Sequence, residues 1–319
     1  MTSAPTQETT TRMRAGQHRA RILLGADADP GATATEAWGW QGRTLGTSVI
    51  ANDQTAWLRL ASDPHHYSTF WWDGPSQATT LPRALPRPRL HATCSWTDDH
   101  WRYRAELFDR APNAISPTLV ITHDPDLPAA WWEQLRDALH TLANTPTPRI
   151  AVQQQYLDHA MPRLLGTPIN TRSLAPWTTC HGDLHFANLI GPDLLMLDWE
   201  GWGMAPAGYD AARLHATCLL RPATAALVRE ELAEFLDTPA GRHAELVVIT
   251  ELLHNLRYGT ATELTAHLRS RAAQVLGRPV PTPASLTELH PAPGHHRSDR
   301  HSGGEAVIIA RTDHEESNR

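Results

Sequence analysis

The spacing of apolar positions changes once along the chain, near Pro112. Before it, apolar and polar residues alternate in short runs at 36–40, 47–51 and 55–60, which is the period of half-buried strands. The turns between these runs are Gln41-Gly42-Arg43-Thr44-Leu45-Gly46 and Asn52-Asp53-Gln54. Residues 89–96 and 101–108 predict a second hairpin around Thr97-Asp98-Asp99-His100, and 74–81 predicts one short helix closely bracketed by Pro75 and Pro82. After Pro112 the apolar spacing lengthens to three or four, predicting helices over 129–142, 150–165, 208–220, 223–236, 244–257 and 262–276. Residues 1–20 are polar and 281–319 are rich in Pro, His, Ser and charge, so both ends are expected to be disordered. The pattern therefore divides the chain into 1–20, a strand-rich 21–111, a helical 112–280 and a tail, 281–319.

One stretch interrupts the helical pattern. Cys180 to Asp198 reads C-H-G-D-L-H-F-A-N-L-I-G-P-D-L-L-M-L-D, with apolar runs at 186–190 and 194–197 split by Gly191-Pro192-Asp193. That is a tight loop followed by a hairpin with Asp198 at its far end. Asp183, Asn188 and Asp198 have the order and spacing that phosphoryl transfer needs. One carboxylate orients and deprotonates a hydroxyl, while an amide oxygen and a second carboxylate hold Mg²⁺ against nucleotide phosphates. The separation of Asp183 and Asn188 equals that of Asp and Asn in the H-R-D-x-x-x-x-N loop of protein kinases. His181 and His185 stand four apart, which also admits a zinc reading, although Gly182 argues against a helix there.

His181-Gly182-Asp183-Leu184-His185, Asn188, Leu197-Asp198-Trp199-Glu200 and Gly208-Tyr209-Asp210 together resemble the aminoglycoside phosphotransferase and choline kinase superfamily of kinase-like enzymes. The specific part of the resemblance covers about thirty residues. It implies a bilobal α+β fold, with a small antiparallel sheet over 21–111 that binds nucleotide and a mainly helical lobe over 112–280. It implies Asp183 as catalytic base, Asn188 and Asp198 as magnesium ligands, His181 as support for the loop, and Asp210 as a structural anchor. Trp199, Glu200 and Trp202 fall where substrates of the superfamily approach, although Trp202 serves equally as core. Such folds also place a basic residue on the third strand to hold phosphates. Here that position is Arg59, which shares a strand face with Trp57, on the adenine side. A solvent-facing strand arginine is the plainer account of Arg59. Gly42 and Gly46 serve either as a phosphate-covering loop or as a plain hairpin turn. For the acid that would fix Arg59, Asp73 and Gln77 are the nearby options, and Gln77 cannot form an ion pair.

Composition bounds the partners. The net charge is −6 with no basic run, so nucleic acid is not expected as a partner. All 28 basic residues are arginine, in a chemistry that usually employs lysine. Three separated cysteines, no secretory core in 1–21 and no membrane-length apolar run lead to the expectation of a cytoplasmic protein, monomeric or homodimeric. The expected activity is ATP- or GTP-dependent, Mg²⁺-dependent transfer to a hydroxyl of a small molecule, aminoglycoside-like, amino alcohol or sugar. Glu200, Glu231, Glu234 and Glu251 are the acidic residues a cationic acceptor would use. The alternative is a weak or inactive relative that binds nucleotide or small molecule as a regulator, favoured by the absent lysine and opposed by retention of all three site residues. His290, His295, His296, His301 and His314 in the tail admit weak metal binding.

Overall fold

The computed structural model describes residues 5–31, 36–64, 70–98, 100–166, 176–256, 259, 261–281 and 307–310. The tail histidines lie outside these residues. The chain forms two compact units, and their division differs from the simple cut at Pro112. The sheet unit takes the described residues of 5–72 and 88–111 together with 307–310. The helical unit takes Asp73–Arg87 and the described residues of 112–281.

The sheet unit opens with a helix, α1 (Gln7–Leu24), where the sequence pattern predicts disorder. Thr6 caps it by accepting from the Thr9 N–H at 3.2 Å, and Gly25 ends it in the left-handed region. The periodicity is hidden because the buried stripe is Met13, Gly16, Gln17 and Ala20, only half of it apolar. Gln17 holds the helix to the sheet, donating from Nε2 to Leu45 O at 2.9 Å and Leu58 O at 3.1 Å. The strands follow as β1 (Ala26–Ala28), β2 (Ala37–Trp38), β3 (Thr44–Ala51) and β4 (Gln54–Pro64), then β5 (Leu90–Thr97) and β6 (Trp101–Asp109). They are antiparallel in the order β1-β3-β4-β6-β5, with β2 also on β3. The two predicted hairpins are thus β3–β4 and β5–β6. On β4 the alternation is clean: Ala56, Leu58 and Leu60 are buried with Met13 and Ala20, while Trp57 and Arg59 point to the other face. Part of the tail is also ordered here, since Val307–Ala310 pairs antiparallel with β5 as β11.

The helical unit begins at α2 (Gly74–Gln77), which continues into a single 3₁₀ turn at Ala78–Thr80. Its helices continue with α3 (Ala129–Ala143) and α4 (Gln154–Leu165). Four short strands interrupt: β7 (Trp177–Cys180), β8 (Leu189–Ile190), β9 (Leu195–Met196) and β10 (Gly203–Pro206). After them come α5 (Tyr209–Thr217), α6 (Pro222–Glu231), α7 (Ala233–Leu236), α8 (Pro239–Asn255) and α9 (Thr265–Leu276). Helix α8 is buried on nearly every face through residues 243–250, so it is the axle of this unit. Glu245 on α8 is 2% exposed and gathers Arg271 of α9 at 2.7 Å, Arg229 of α6 at 3.1 Å and His215 of α5 at 3.3 Å. Among the described residues no helix is long and apolar enough to cross a membrane.

Candidate active site

The loop that carries Asp183 is fixed from below. Strand β7 pairs with β10 in the register Cys180↔Gly203, and the chain then turns at Gly182 with φ +86°. A Cβ on Gly182 would lie 2.2 Å from Gly201 O, so both conformation and space demand glycine there. Asp210, in the first turn of α5, accepts from the His181 N–H at 2.7 Å and the Gly182 N–H at 3.0 Å. Burial pushes the Asp210 carboxyl up to about 6. His181 is fully buried, and its Nε2–H donates to Leu197 O at 2.8 Å while Nδ1 accepts from the Asp183 N–H at 3.3 Å. Both ring nitrogens are therefore engaged in holding the loop. Burial pushes this imidazole down to about 4, so it is neutral near pH 7.

Asp183 meets a residue that motif reading missed. Arg213 of α5 donates Nε to Asp183 Oδ1 at 2.8 Å, and its Nη2 reaches the same oxygen. Oδ2 faces His185 Nε2 at 3.4 Å and Asn188 Nδ2 at 3.3 Å. Burial works against the charged carboxylate, but Arg213 and then His185 outweigh it and hold Asp183 well below the usual range. Behind Arg213, the Tyr209 O–H donates to Glu251 Oε2 at 2.5 Å. The signal available in sequence was spacing: Arg213 stands three residues after Asp210, one helical turn along α5.

Asn188 and Asp198 are brought together by the β8–β9 hairpin. Its register, Leu189↔Met196, sets Asn188 opposite Leu197, whose N–H donates to Asn188 O at 2.8 Å. Asp198 follows directly, exposed and at φ +59°, a left-handed conformation that costs most non-glycine residues energy and that aspartate adopts more readily than most. The Asn188 Nδ2 donates to Asp183 O at 2.9 Å, which turns Oδ1 the other way. An amide oxygen and a carboxylate are hard donors suited to Mg²⁺ completed by phosphate and water. Among the described residues no group of three or more His, Cys, Asp or Glu is placed to hold a metal ion.

In the sheet unit, Arg59 has an acidic partner on the neighbouring strand. Register pairs Arg59 with Glu106 of β6, and Arg59 Nη1 lies 2.8 Å from Glu106 Oε2, with Glu106 fully buried. Asp73 and Gln77, the options suggested by sequence, belong to the helical unit, where Gln77 accepts from Arg149. Trp57 lies against Gly46, where a Cβ would sit 2.4 Å from the indole, and Arg110 stacks 4.8 Å from its ring centre. Gly46 thus has a packing reason of its own. Gly42 adopts φ +72° at the end of a 3₁₀ turn, as a tight connection requires.

The residues expected to meet substrate differ in burial. Trp199 and Trp202 are buried, at 6% and 3% exposure. The Trp199 Nε1–H donates to Met196 O at 2.7 Å and its ring packs edge-on against His181. The Trp202 Nε1–H donates to Gly74 O at 2.9 Å. Both indoles are scaffold. Glu200 is half-buried and its carbonyl accepts from Arg149 at 3.2 Å. Glu231 pairs with Arg136 at 2.5 Å, and Glu234 with His140 at 2.9 Å, so both are used to join α3 to the helices α6 and α7.

The phosphotransferase enzyme family model matches residues 72–245. No curated protein matches the chain. Among solved structures, aminoglycoside phosphotransferase APH(4)-Ia aligns with a TM-score of 0.53 at 13% identity, covering 85% of this chain and 99% of that one. A thermostable mutant of that enzyme, in ternary complex with AMP-PNP and hygromycin B, gives 0.54 at 13% identity, covering 82% and 98%. A protein of Haemophilus somnus 129PT described as a fructosamine-3-kinase gives 0.51 at 10% identity, covering 85% and 100%. At these identities the likeness is one of fold.

Proposed function

The chain belongs to the phosphotransferase enzyme family, and on that premise we propose that it moves the γ-phosphoryl group of ATP or GTP, with Mg²⁺, onto a hydroxyl of a small molecule. The observation that carries this reading is the joint placement of Asp183, Asn188 and Asp198 by one loop and one hairpin. Asp183 Oδ2, whose contacts to His185 and Asn188 are longer than the Arg213 contacts to Oδ1, is the oxygen better placed to receive the acceptor O–H. The acceptor oxygen bonds to γ-phosphorus as the bond to the β–γ bridging oxygen breaks; the hydroxyl proton passes to Asp183, and nucleoside diphosphate leaves. A carboxylate held this strongly anionic is a weak base, which suits a loose transition state in which the nucleophile gives up its proton late. Asn188 Oδ1 and the Asp198 carboxylate would hold the metal, whose chemistry is to neutralise phosphate charge. Arg59, held by Glu106, would bind phosphate, a role guanidinium geometry supports.

Adenine nucleotide is the donor to test first, because AMP-PNP and ADP occupy the complexes of the structural relatives. For the acceptor, Glu231 and Glu234 are engaged by Arg136 and His140, so sugars and amino alcohols are to be tested alongside aminoglycosides. The test is transfer of labelled γ-phosphate to a panel of hydroxyl acceptors, with Asp183→Asn as control. Metal-dependent labelling of one acceptor class, lost in the control, supports the reading. Metal-dependent nucleotide binding without transfer to any acceptor would favour the regulator instead.

A further inference from the structure

Arg149 belongs to none of the motifs, yet its side chain is 9% exposed and runs into the loop that follows Asp198. Its Nε donates to Trp202 O at 2.9 Å and its Nη2 to Glu200 O at 3.2 Å. Its Nη1 donates to Gln77 Oε1 of α2 at 2.8 Å, and the guanidinium lies 5.0 Å from the Trp202 ring centre. The backbone is bonded to the same region, since Met204 N donates to Arg149 O at 2.8 Å and Ala151 N to Met204 O at 3.0 Å. Burial lowers the affinity of this guanidinium for its proton, so placing it there carries a desolvation cost. The nearby charge of Asp73 and the backbone carbonyls of residues 200 and 202 offset that cost.

The other end of the same loop is held by His181, which donates to Leu197 O. Asp198 therefore sits between two buried clamps, His181 on residue 197 and Arg149 on residues 200 and 202, in the strained φ +59° conformation. Released from either clamp, the backbone at residue 198 would be free to relax toward negative φ, a change that would swing the carboxylate away. We propose that Arg149 is a positioning residue for Asp198, acting through the backbone carbonyls of Glu200 and Trp202 to keep that carboxylate aimed as a metal ligand. This rests on the reading of Asp198 as a ligand. Arginine is suited to the task because one rigid planar fork donates to both carbonyls from separate nitrogens, whereas lysine has a single nitrogen and no fixed geometry.

The test is direct metal binding, read by Mn²⁺ electron paramagnetic resonance with AMP-PNP present, together with thermal midpoints. Full-length wild type, Asp198→Ala, Arg149→Met, Arg149→Lys and Gln77→Leu would be compared. Arg149→Met should weaken Mn²⁺ about ten- to a hundredfold, the usual cost of removing a group that orients a ligand. Metal-free nucleotide affinity should stay at the wild-type value. Arg149→Lys should fall between, and it carries the test if Arg149→Met does not fold. Gln77→Leu removes only the contact to α2 and should leave the Mn²⁺ titration unchanged. Wild-type Mn²⁺ affinity in a folded Arg149 variant, with binding lost in Asp198→Ala, would overturn this inference alone. Binding retained in Asp198→Ala would remove the ligand reading beneath it as well.

Discussion

In the sheet unit a site residue is presented by strand register, whereas in the helical unit it is presented by buried polar groups that pin a loop. Arg59 needs only the alternation of β4 to point away from α1, and the adjacent strand supplies Glu106 directly opposite. Asp183 and Asp198 lie on irregular backbone that no ladder holds. Asp210 takes two amides, His181 and Arg149 take carbonyls, and Arg213 takes the carboxylate itself. A strand positions chemistry through repetition, while a loop needs a dedicated contact for each residue it fixes.

That contrast orders the expected effects. Asp183→Asn removes the carboxylate proposed to orient the acceptor hydroxyl and should reduce turnover about a thousandfold while nucleotide affinity holds, checked by phosphoryl-transfer rate and binding isotherm. Asp210→Ala leaves two amides of the loop without their acceptor and should cost about 3 kcal/mol in urea unfolding. In the sheet unit, Glu106→Gln keeps the shape but removes the charge opposite Arg59. It should raise the nucleotide KM about tenfold and change kcat little. An equal loss in both would mean Glu106 serves the fold alone.

The smallest effect is in pH. His181 falls from 6.5 to about 4 on folding, so the unfolded chain takes the proton first and stability drops as pH falls from 6.5 to 4. Glu245, whose burial is outweighed by His215 and Arg271, falls from 4.5 to about 2, and its contribution is lost between those values. Asp210 has the opposite sign, since burial raises it to about 6, and it offsets part of the first loss. Hydrogen exchange should show residues 181–188 losing protection on acidification before strands β3 and β4 do.

The same contrast explains what the sequence made legible. Strands β3 to β6 follow from alternation and turn residues, and α3, α5, α8 and α9 from spacing, with ends displaced by a few residues. Helix α1 escaped because glycine and glutamine fill half its buried stripe. Glu106 was hidden inside a strand pattern, although an acid on the face of β6 that meets Arg59 is a signal once the strands are paired. Arg149 had no local signal, because it stands 49 residues before the aspartate whose loop it holds. Trp199 and Trp202 show the converse: they neighbour Asp198 in sequence, while their indoles pack into the core of the helical unit.

The central claim is that Asp198 binds the metal of a nucleotide complex. It is tested most directly by the thermal midpoint with ATP or GTP, with and without Mg²⁺, in wild type and Asp198→Ala. The account predicts a metal-dependent rise in wild type, about 2.7 kcal/mol at a hundredfold excess over Kd, that vanishes in the variant. The same metal-dependent rise in both proteins would contradict it.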